Sequence, residues 1–451
     1  MNPQDFLPMK RLFFALFCVC CALQDAHAQQ FDEWFDGRSL RLDYVFAGSS
    51  REQHIYFEQA CITPQWAGRR SHLGEALLRG NGQLAVRDHD SQQLLYMHTF
   101  STLFQEWQAT EEATRVQKAF DTSYHVPMPR KPVDVTVTLT DFHQREVATL
   151  THTIDPADIL LRTMGANGIP FHYLWQGGPV SDCVDLAIVA EGYTEAEMGK
   201  FYFDAQRVVD ALFSHEPFLG LKNRFNVVAV AAPSQDAGPS IPHKGQWRRT
   251  AARTHYDTFY SQRYLMTQDM HRLYDLLCDV PFEQIIVLVN SDVYGGGGIY
   301  NQLNVITSDH PTFKQVLVHE FGHGYAGLGD EYDYGNDPES MYPADTEPWE
   351  PNLTTLHDFQ QKWADLLPKG TPIPTPIDEK VPNHRQLRTE KDRLLLNGAT
   401  QRVGVFEGGG YQTKGVYRPA QVCRMKINEV EDFCPVCSRA IVAITDFYTS
   451  H

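Results

Sequence analysis

Three residues near the centre of the chain have the types and spacing of a catalytic metal site. His319 and His323 lie four positions apart, and Glu320 follows the first histidine directly. Residues four apart share one face of an α-helix, so both imidazoles can bind one cation while Glu320 projects beside it. A carboxylate there can take a proton from a metal-held water and return it to a leaving amine. The spacing therefore predicts a catalytic zinc site with Glu320 as general base, against the simpler alternative of two ordinary helical histidines.

The residues after the second histidine can supply a third ligand. Gly327 and Gly329 can each adopt the left-handed conformation that ends a helix. The resulting turn would return Asp330 or Glu331 to the metal, and a catalytic zinc needs three protein ligands and one open position. The turn itself leaves Asp330 and Glu331 both open as this ligand.

A helix must carry the two histidines if they are to share a cation. Thr312 and Gln315 precede the motif with a spacing that can cap a helix. Apolar residues recur around it at helical spacing, namely Phe313, Val316, Leu317, Phe321 and Tyr325. The pattern predicts an amphipathic active-site helix with one face in the core.

Motifs on both sides of this helix resemble those of the IgA-peptidase-type family of bacterial zinc metalloendopeptidases. Residues 319–323 and 327–332 carry His-Glu-x-x-His and Gly-Leu-x-Asp-Glu-Tyr. The other matching segments are residues 191–194, 224–227, 415–419, 423–425 and 433–437. The resemblance covers most of the chain. It implies a metzincin-like catalytic domain, endopeptidase activity and bacterial export, but not immunoglobulin A as the substrate.

The resemblance also suggests roles for individual residues. Gly327 and Asp330 resemble the glycine-then-ligand spacing of metzincins, although Asp330 lies seven residues after His323 rather than six. The resemblance therefore favours Asp330 as the third ligand, with Glu331 as the alternative. Met425 resembles the methionine of a tight turn that packs beneath the ligand histidines.

Two further segments are candidates for contact with substrate. Gly297, Gly298 and Ile299 lie where metzincin-like folds have an edge strand that pairs with an extended peptide, although a glycine run also suits a surface loop. Tyr417 is a candidate donor to the oxyanion of a tetrahedral intermediate, with a buried structural tyrosine as the alternative.

The amino-terminal third of the chain has the pattern of a β domain. Short alternating runs, such as residues 40–46 and 133–139, are separated by turn residues. This pattern is typical of an antiparallel sandwich. We therefore predict a β-sandwich-like N-terminal domain at residues 29–165.

Beyond residue 170 strands alternate with helices. Residues 184–190, 225–232 and 283–289 are apolar runs typical of buried strands, and residues 194–212 and 256–278 have helical patterns. These segments predict an α/β (α+β) metzincin-like catalytic domain at residues 170–451, with a mixed sheet and the active-site helix.

The first 28 residues have the pattern of a signal peptide. Lys10 and Arg11 precede an apolar run, and Ala26 and Ala28 are small residues at the two positions that a signal peptidase reads. The run is far shorter than the ~20 residues of a membrane-spanning helix. We expect cleavage after Ala28 and export to the periplasm, cell surface or medium. The mature chain then has no transmembrane anchor, and a lipid anchor on one of the early cysteines is the weaker alternative.

Charge and composition restrict the partners and cofactors. The formal net charge of −17 argues against nucleic acid and anionic membranes, so protein or peptide is the expected partner. One catalytic zinc ion is the expected cofactor. Residues 333–339 have enough oxygen ligands for calcium but lack EF-hand spacing, which favours a solvated turn.

Six of the nine cysteines remain after the predicted signal peptide: Cys61, Cys183, Cys278, Cys423, Cys434 and Cys437. The last two form a Cys-x-x-Cys pair, but a zinc ribbon needs a second close pair that the sequence lacks. We therefore expect a structural disulfide or simple thiols, and the sequence leaves their pairing open.

Two other functions share these features. A non-catalytic binding protein of the cell surface could keep the fold, although the intact Glu320 argues against it. A zinc-dependent amidase or deacetylase would use the same hydrolytic chemistry, and the glycine-rich edge favours a peptide over that substrate class.

Overall fold

The computed structural model describes residues 31–333, 335, 341–382, 387 and 389–450. The predicted signal peptide lies outside these residues, as does most of the acidic loop at 333–339. Among the described residues, no helix has both the length and the apolar character needed to cross a bilayer.

Two four-stranded sheets form the N-terminal part of the chain. Their strands are Phe35–Gly48 (β1), Gln53–Thr63 (β2), Gly82–Asp88 (β3), Leu94–Phe100 (β4), Lys118–Pro129 (β5), Val133–Thr140 (β6), Glu146–Ile154 (β7) and Arg162–Thr163 (β8). The strand orders are β5-β1-β2-β8 and β4-β3-β6-β7. Side chains from both sheets share one core, in which the rings of Phe46 and Phe100 stack with centroids 6.2 Å apart. A short helix, Leu103–Gln108 (α1), follows β4.

A six-stranded mixed sheet forms the centre of the second part. Its strands are Phe171–Gln176 (β9), Val184–Glu191 (β10), Phe225–Val230 (β11), Gln284–Val289 (β12), Gly296–Ile299 (β13) and Leu303–Thr307 (β14). The order is β13-β14-β12-β10-β11-β9, and the four inner strands are parallel while β9 and β13 run antiparallel at the edges. The inner strands are buried along their length, as continuous apolar runs require. The predicted mixed α/β architecture is therefore confirmed.

Four of the helices in this part cover one face of this sheet. The N-terminal sheets lie toward the other face, together with the short helix Met270–Leu276, while Glu390–Thr400 packs in a small separate cluster. The helices are Met198–Leu212 (α2), Phe218–Leu221 (α3), Met270–Leu276 (α4), Phe313–Ala326 (α5), Glu390–Thr400 (α6) and Pro435–Thr449 (α7), and a hairpin of Phe406–Gly409 (β15) and Gln412–Arg418 (β16) precedes α7. Leu186 and Ile188 of β10 belong to the core of α2, α5 and α7, whereas Ala187 and Val189 belong to the core of the N-terminal sheets. Alternate residues of one strand thus join two different cores.

The predicted helix at residues 256–278 is wrong for most of its length. Only α4 is α-helical there, beginning after Asp269, whose side chain accepts a hydrogen bond from the Arg272 amide. Asp257, Phe259 and Tyr260 have positive φ angles, which no α-helix contains. Tyr256, Leu265 and Met266 are nevertheless buried, so irregular chain rather than a helix produces the apolar spacing.

Candidate active site

The active-site helix α5 begins and ends close to the predicted positions. The Thr312 side chain does not cap it, because that hydroxyl is hydrogen bonded to His310. At the other end, Gly327 has φ +59° and its amide donates to the His323 carbonyl. The left-handed residue stops the helix one turn after His323 and turns the chain back toward the histidines. Gly329 does not share that conformation; a Cβ there would lie 2.5 Å from Leu353.

This turn brings three donor atoms from His319, His323 and Asp330 together. The two Nε2 atoms are 3.0 Å apart. Asp330 Oδ1 lies 3.1 Å from His319 Nε2 and 3.3 Å from His323 Nε2. Asp330 Oδ1 is buried and, apart from these two histidine nitrogens, has no hydrogen-bond donor among the described residues. Glu320 lies beside this group of atoms on the same helix.

The three atoms suit a zinc ion in number, type and spacing. Nitrogen and oxygen ligands about 2.0–2.2 Å from a tetrahedral zinc ion lie about 3.3–3.6 Å from one another. The observed separations of 3.0–3.3 Å fall just below that range. A buried carboxylate oxygen whose only polar neighbours of this kind are two histidine nitrogens also suits a metal ligand. These residues therefore fit the metal that the sequence predicts.

Other contacts fix the orientation of each donor. His319 Nδ1 lies 3.1 Å from the Arg424 carbonyl oxygen, and His323 Nδ1 lies 2.5 Å from that of Leu328. Such contacts set the ring tautomer and leave Nε2 for the metal. The Tyr411 hydroxyl donates to Asp330 Oδ2 at 2.5 Å and so leaves Oδ1 directed at the histidines.

The ionisable groups of the site shift one another's pKa values in the direction that favours a cation between them. Burial opposes ionisation of Asp330, but the two imidazoles hold the pKa of its carboxyl far below the usual range. Burial likewise lowers the pKa of His323, yet Asp330 and Glu320 raise it to about 9. Burial raises the pKa of Glu320, which the imidazoles partly oppose. The site thus favours positive charge between Asp330 and the two histidines.

Glu331 lies away from the histidines. Its Oε1 accepts hydrogen bonds from Asn352 Nδ2 at 3.0 Å and from the Cys437 thiol at 3.2 Å. Asn352 also holds both backbone groups of Gly329, at 2.7 and 2.9 Å. This buried amide thereby fixes the residues on either side of Asp330, and no sequence motif pointed to it.

Met425 lies beneath the active-site helix. A Cβ on Gly322 would be 2.9 Å from Met425 Sδ, so the thioether packs directly against α5. The Met425 carbonyl accepts a hydrogen bond from the Glu331 amide at 2.9 Å. The turn around Met425 therefore contacts both the helix and the segment that carries Asp330.

The glycine run forms strand β13, not a surface loop. A Cβ on Gly298 would lie 2.4 Å from the Glu320 carbonyl oxygen and 2.9 Å from His323 Cβ. Gly296 likewise would place a Cβ 3.2 Å from Glu320 Oε1. The glycines are needed because the strand passes directly against the active-site helix, a reason that the sequence analysis missed.

The outer edge of β13 is contacted at both ends. Tyr264 pairs with Gly296 in an isolated bridge, and the Ser101 amide donates to the Tyr300 carbonyl at 3.0 Å. Gly297 and Gly298 between them line the cavity, whereas the Ile299 side chain is buried. Backbone pairing with a peptide would thus be limited to the middle of this edge.

A cavity of about 940 Å³ opens over Glu320 and the histidines and is walled by both parts of the chain. Glu106 of α1 lines it and accepts a hydrogen bond from the Tyr264 hydroxyl. Burial raises the pKa of Glu106 to about 7, with that tyrosine opposing the rise. The N-terminal sheets therefore contribute a wall of the candidate site through a carboxylate that the sequence did not single out.

Tyr417 is not among the described residues that line this cavity. Its backbone pairs with Thr354, and its side chain packs against the core of α5 and α7. The oxyanion role of Tyr417 stays a prediction, and so does the alternative of a buried structural tyrosine, because the side chain is only half-buried. Tyr411, six residues earlier, has its hydroxyl on Asp330 instead.

Comparisons with known families match most of the chain. Residues 173–445 match the family described as IgA Peptidase M64, and residues 30–151 match the model described as Peptidase M64 N-terminus. A search of curated proteins found no match. Because the first match alone covers more than half of the chain, the protein belongs to the IgA peptidase M64 family and is a peptidase, with proteins or peptides as substrates.

Proposed function

We propose that the protein is an exported zinc-dependent endopeptidase. The observation that carries this proposal is the meeting of His319 Nε2, His323 Nε2 and Asp330 Oδ1 within 3.3 Å, with Glu320 alongside, at the wall of an open cavity. Three protein ligands facing a cavity leave a position for water and substrate. Asp330 is thus the third ligand that we propose, in preference to Glu331.

Each residue of the site would have a separate role in the hydrolysis of the peptide bond. A zinc ion bound to the two histidines and Asp330 would act as a Lewis acid and lower the pKa of a coordinated water. Glu320 would accept a proton from the water that attacks the peptide carbonyl carbon, and would then deliver that proton to the leaving amine nitrogen. Burial raises the pKa of Glu320, which suits a group that must both take and release a proton. Tyr411 keeps Asp330 in place through its hydroxyl.

The surroundings of the site support a peptide as substrate. The cavity of about 940 Å³ is at the upper end of the range for ligand pockets, so it suits an extended peptide segment. Gly297 and Gly298 offer strand edge beside Glu320, and we propose that a peptide backbone aligns there. This geometry favours an endopeptidase over an amidase that acts on a small amide.

Several features support a metzincin-like arrangement. Met425 lies under α5, a glycine turn follows the second histidine, and β13 runs antiparallel at the sheet edge beside the active-site helix. On the same grounds we propose a catalytic domain at residues 170–451 and an N-terminal domain at residues 29–165. Export rests on the pattern of the first 28 residues, and amino-terminal sequencing of protein from the native host should find Gln29 first.

Replacement of Glu320 tests the proposed chemistry. Because Glu320 stands beside the three donors, Glu320→Ala should retain the zinc and the fold while kcat falls by about 10²–10⁴. Zinc content and peptide-library cleavage are measured on the same preparations. Lys314→Ala, at an exposed position of the same helix, is the control and should cleave like the wild type. Equal cleavage by Glu320→Ala and wild type would exclude the mechanism. An inactive, zinc-loaded wild type would favour a binding protein.

A further inference from the structure

Four buried side chains meet behind the turn that carries Asp330. They are Glu331, Cys423, Cys434 and Cys437, each fully inaccessible to solvent. One ligand atom from each lies within 4.8 Å of the ligand atoms of the others. They come from three separate segments: the residue after Asp330, the turn around Met425 and the start of α7. We call this group the cysteine cluster.

The sulfur positions match a metal site better than a disulfide. Cys423 Sγ and Cys437 Sγ are 3.8 Å apart, and each cysteine in the described residues is a free thiol. Two thiolates at 2.3 Å from a tetrahedral zinc ion are about 3.8 Å apart, whereas the sulfurs of a disulfide are about 2.05 Å apart. One disulfide would also leave the third thiol buried against the Glu331 carboxylate.

The carboxylate in the cluster lacks the partners that a buried charge needs. Glu331 Oε1 accepts from Asn352 and from the Cys437 thiol, but Oε2 has no hydrogen-bond donor among the described residues. An ionised carboxylate that is fully buried with an unsatisfied oxygen is costly unless a cation is present. A metal coordinated by this oxygen would remove that cost.

The surroundings of the cluster favour thiolates. Cys434 is the N-cap of the fifteen-residue helix α7, and its amide donates to Cys423 Sγ at 3.3 Å. Cys437 lies in the first turn, where the helix dipole stabilises negative charge. Three thiolates and a carboxylate around one Zn²⁺ retain two negative charges. Arg418 and Lys426 interact electrostatically with Glu331, and Arg424 does so with Cys423, which offsets that excess.

We propose that Glu331, Cys423, Cys434 and Cys437 bind a second, structural zinc ion. Four protein ligands, all sealed from solvent, make a closed site that leaves no position for substrate. The sequence favours a disulfide or simple thiols because it lacks a second close cysteine pair, but in the fold Cys423 and Glu331 supply the other two ligands. Binding releases the thiol protons to solvent and changes no oxidation state, so no oxidant is required.

A second zinc would tie the catalytic ligands to the core of the domain. Glu331 is bonded covalently to Asp330, and the Arg424 carbonyl beside Cys423 accepts the contact from His319 Nδ1. Two of the three proposed catalytic ligands, Asp330 and His319, are therefore connected to residues of the cysteine cluster. The structural ion would thus fix the positions of these two ligands without contacting the substrate.

The test is metal analysis of the full-length mature protein purified without reductant or chelator. Wild type should contain about two zinc ions per chain, and His323→Ala and Cys437→Ser should each lose one. Exchange with Co²⁺ adds a spectroscopic signature, because only a thiolate site gives a sulfur-to-cobalt charge-transfer band. That band should persist in His323→Ala and be absent from Cys437→Ser. Cys278→Ser, at a buried cysteine outside the cluster, is the matched control and should keep both ions and the band.

The wild-type protein alone decides the matter if Cys437→Ser fails to fold. A cobalt-exchanged wild type with the thiolate band and two ions per chain would support the second site. A cobalt spectrum without the thiolate band, whatever the number of ions per chain, or an intact mass that shows two hydrogens lost to a disulfide would each overturn it. Loss of peptidase activity in His323→Ala alone concerns only the catalytic site, so the two proposals fail separately.

Discussion

The peptide bond between Asp330 and Glu331 separates two regions of opposite character. On one side, Asp330 joins two histidines that are partly open to a cavity of about 940 Å³. On the other, Glu331 joins three cysteines that solvent does not reach. Both groups have donors suited to zinc, but the first would supply three ligands and has an open side, whereas the second would supply four ligands and has no open side. Access, rather than ligand chemistry alone, thus separates a catalytic site from a structural one.

The comparison also explains why neighbouring acidic residues cannot exchange roles. Asn352 holds Gly329 by both backbone groups and Glu331 by its side chain, so the segment has a fixed rotation about its axis. With that rotation fixed, Asp330 faces the histidines and Glu331 faces the thiols. The alternative in which Glu331 is the catalytic ligand would require this buried hydrogen-bond set to break.

Of the variants that test this difference between the two regions, Asp330→Ala should have the largest effect on turnover and zinc affinity. Asp330→Ala removes a direct donor, so we expect turnover to fall by more than about 10²-fold, with at least a 10–100-fold loss in affinity for the catalytic zinc. Competition with a zinc chelator measures the affinity, and peptide cleavage measures turnover.

Glu331→Gln is the counterpart on the other side of the peptide bond. It should leave catalytic zinc affinity within a few-fold of wild type while weakening the cobalt signature of the cysteine cluster. If Asp330→Ala kept full zinc and activity while Glu331→Gln lost the catalytic ion, the assignment of the two sides would be reversed.

Removal of the Asn352 amide should be the next largest effect. Asn352→Leu leaves the Gly329 amide and carbonyl and one Glu331 oxygen without this partner, and each unsatisfied buried group costs about 1–3 kcal/mol. We expect the free energy of unfolding to fall by about 3 kcal/mol, measured by urea denaturation. Asn223→Leu, at an exposed position, is the control. Equal stability of the two variants would show that Asn352 does not fix the segment.

Local patterns were enough to predict the core of the site. The helix of His319, Glu320 and His323 follows from side chains that recur at helical spacing, and the turn at Gly327 follows from a residue that tolerates a positive φ. Three of the four parallel inner strands, β10, β11 and β12, were likewise visible as continuous apolar runs, whereas β14 was not predicted. Each of these depends on interactions between residues close in sequence.

Contacts between segments that lie far apart in the chain could not be predicted from the sequence. Glu106 reaches the cavity from a different part of the chain, and Tyr411 and Asn352 reach Asp330 and its neighbours from other loops. The cysteine cluster was missed for the same reason, since one ligand lies 106 positions from Cys437. The false helix at residues 256–278 shows the reverse problem, in which buried irregular chain imitates helical spacing.

Loss of the Tyr411 hydroxyl should have a moderate effect. Tyr411→Phe removes the donor to Oδ2 of the ionised Asp330, and a hydrogen bond to a charged group contributes about 1.5–3 kcal/mol, so kcat should fall about 10-fold or more. The matched control is Tyr417→Phe, the same chemical change outside the cavity lining, which should leave kcat unchanged. A larger loss in Tyr417→Phe than in Tyr411→Phe would support the predicted oxyanion role of Tyr417.

The smallest effect concerns the wall that the N-terminal sheets supply. Burial raises the pKa of Glu106 to about 7, so its carboxyl is neutral below that pH and charged above it. The groups that influence this pKa are Tyr264, His323, Asp330 and Glu320.

A peptide with a lysine in reach of Glu106 should therefore bind better as the pH rises from 6 to 8. Its KM should fall about threefold, which corresponds to the free energy of a partly exposed ion pair. The effect should vanish in Glu106→Gln and in a peptide with norleucine in place of lysine, while Glu111→Gln, at an exposed position, should behave like the wild type. An identical pH profile of KM for wild type and Glu106→Gln would show that the N-terminal sheets enclose the cavity but that Glu106 does not interact with the charge of the substrate.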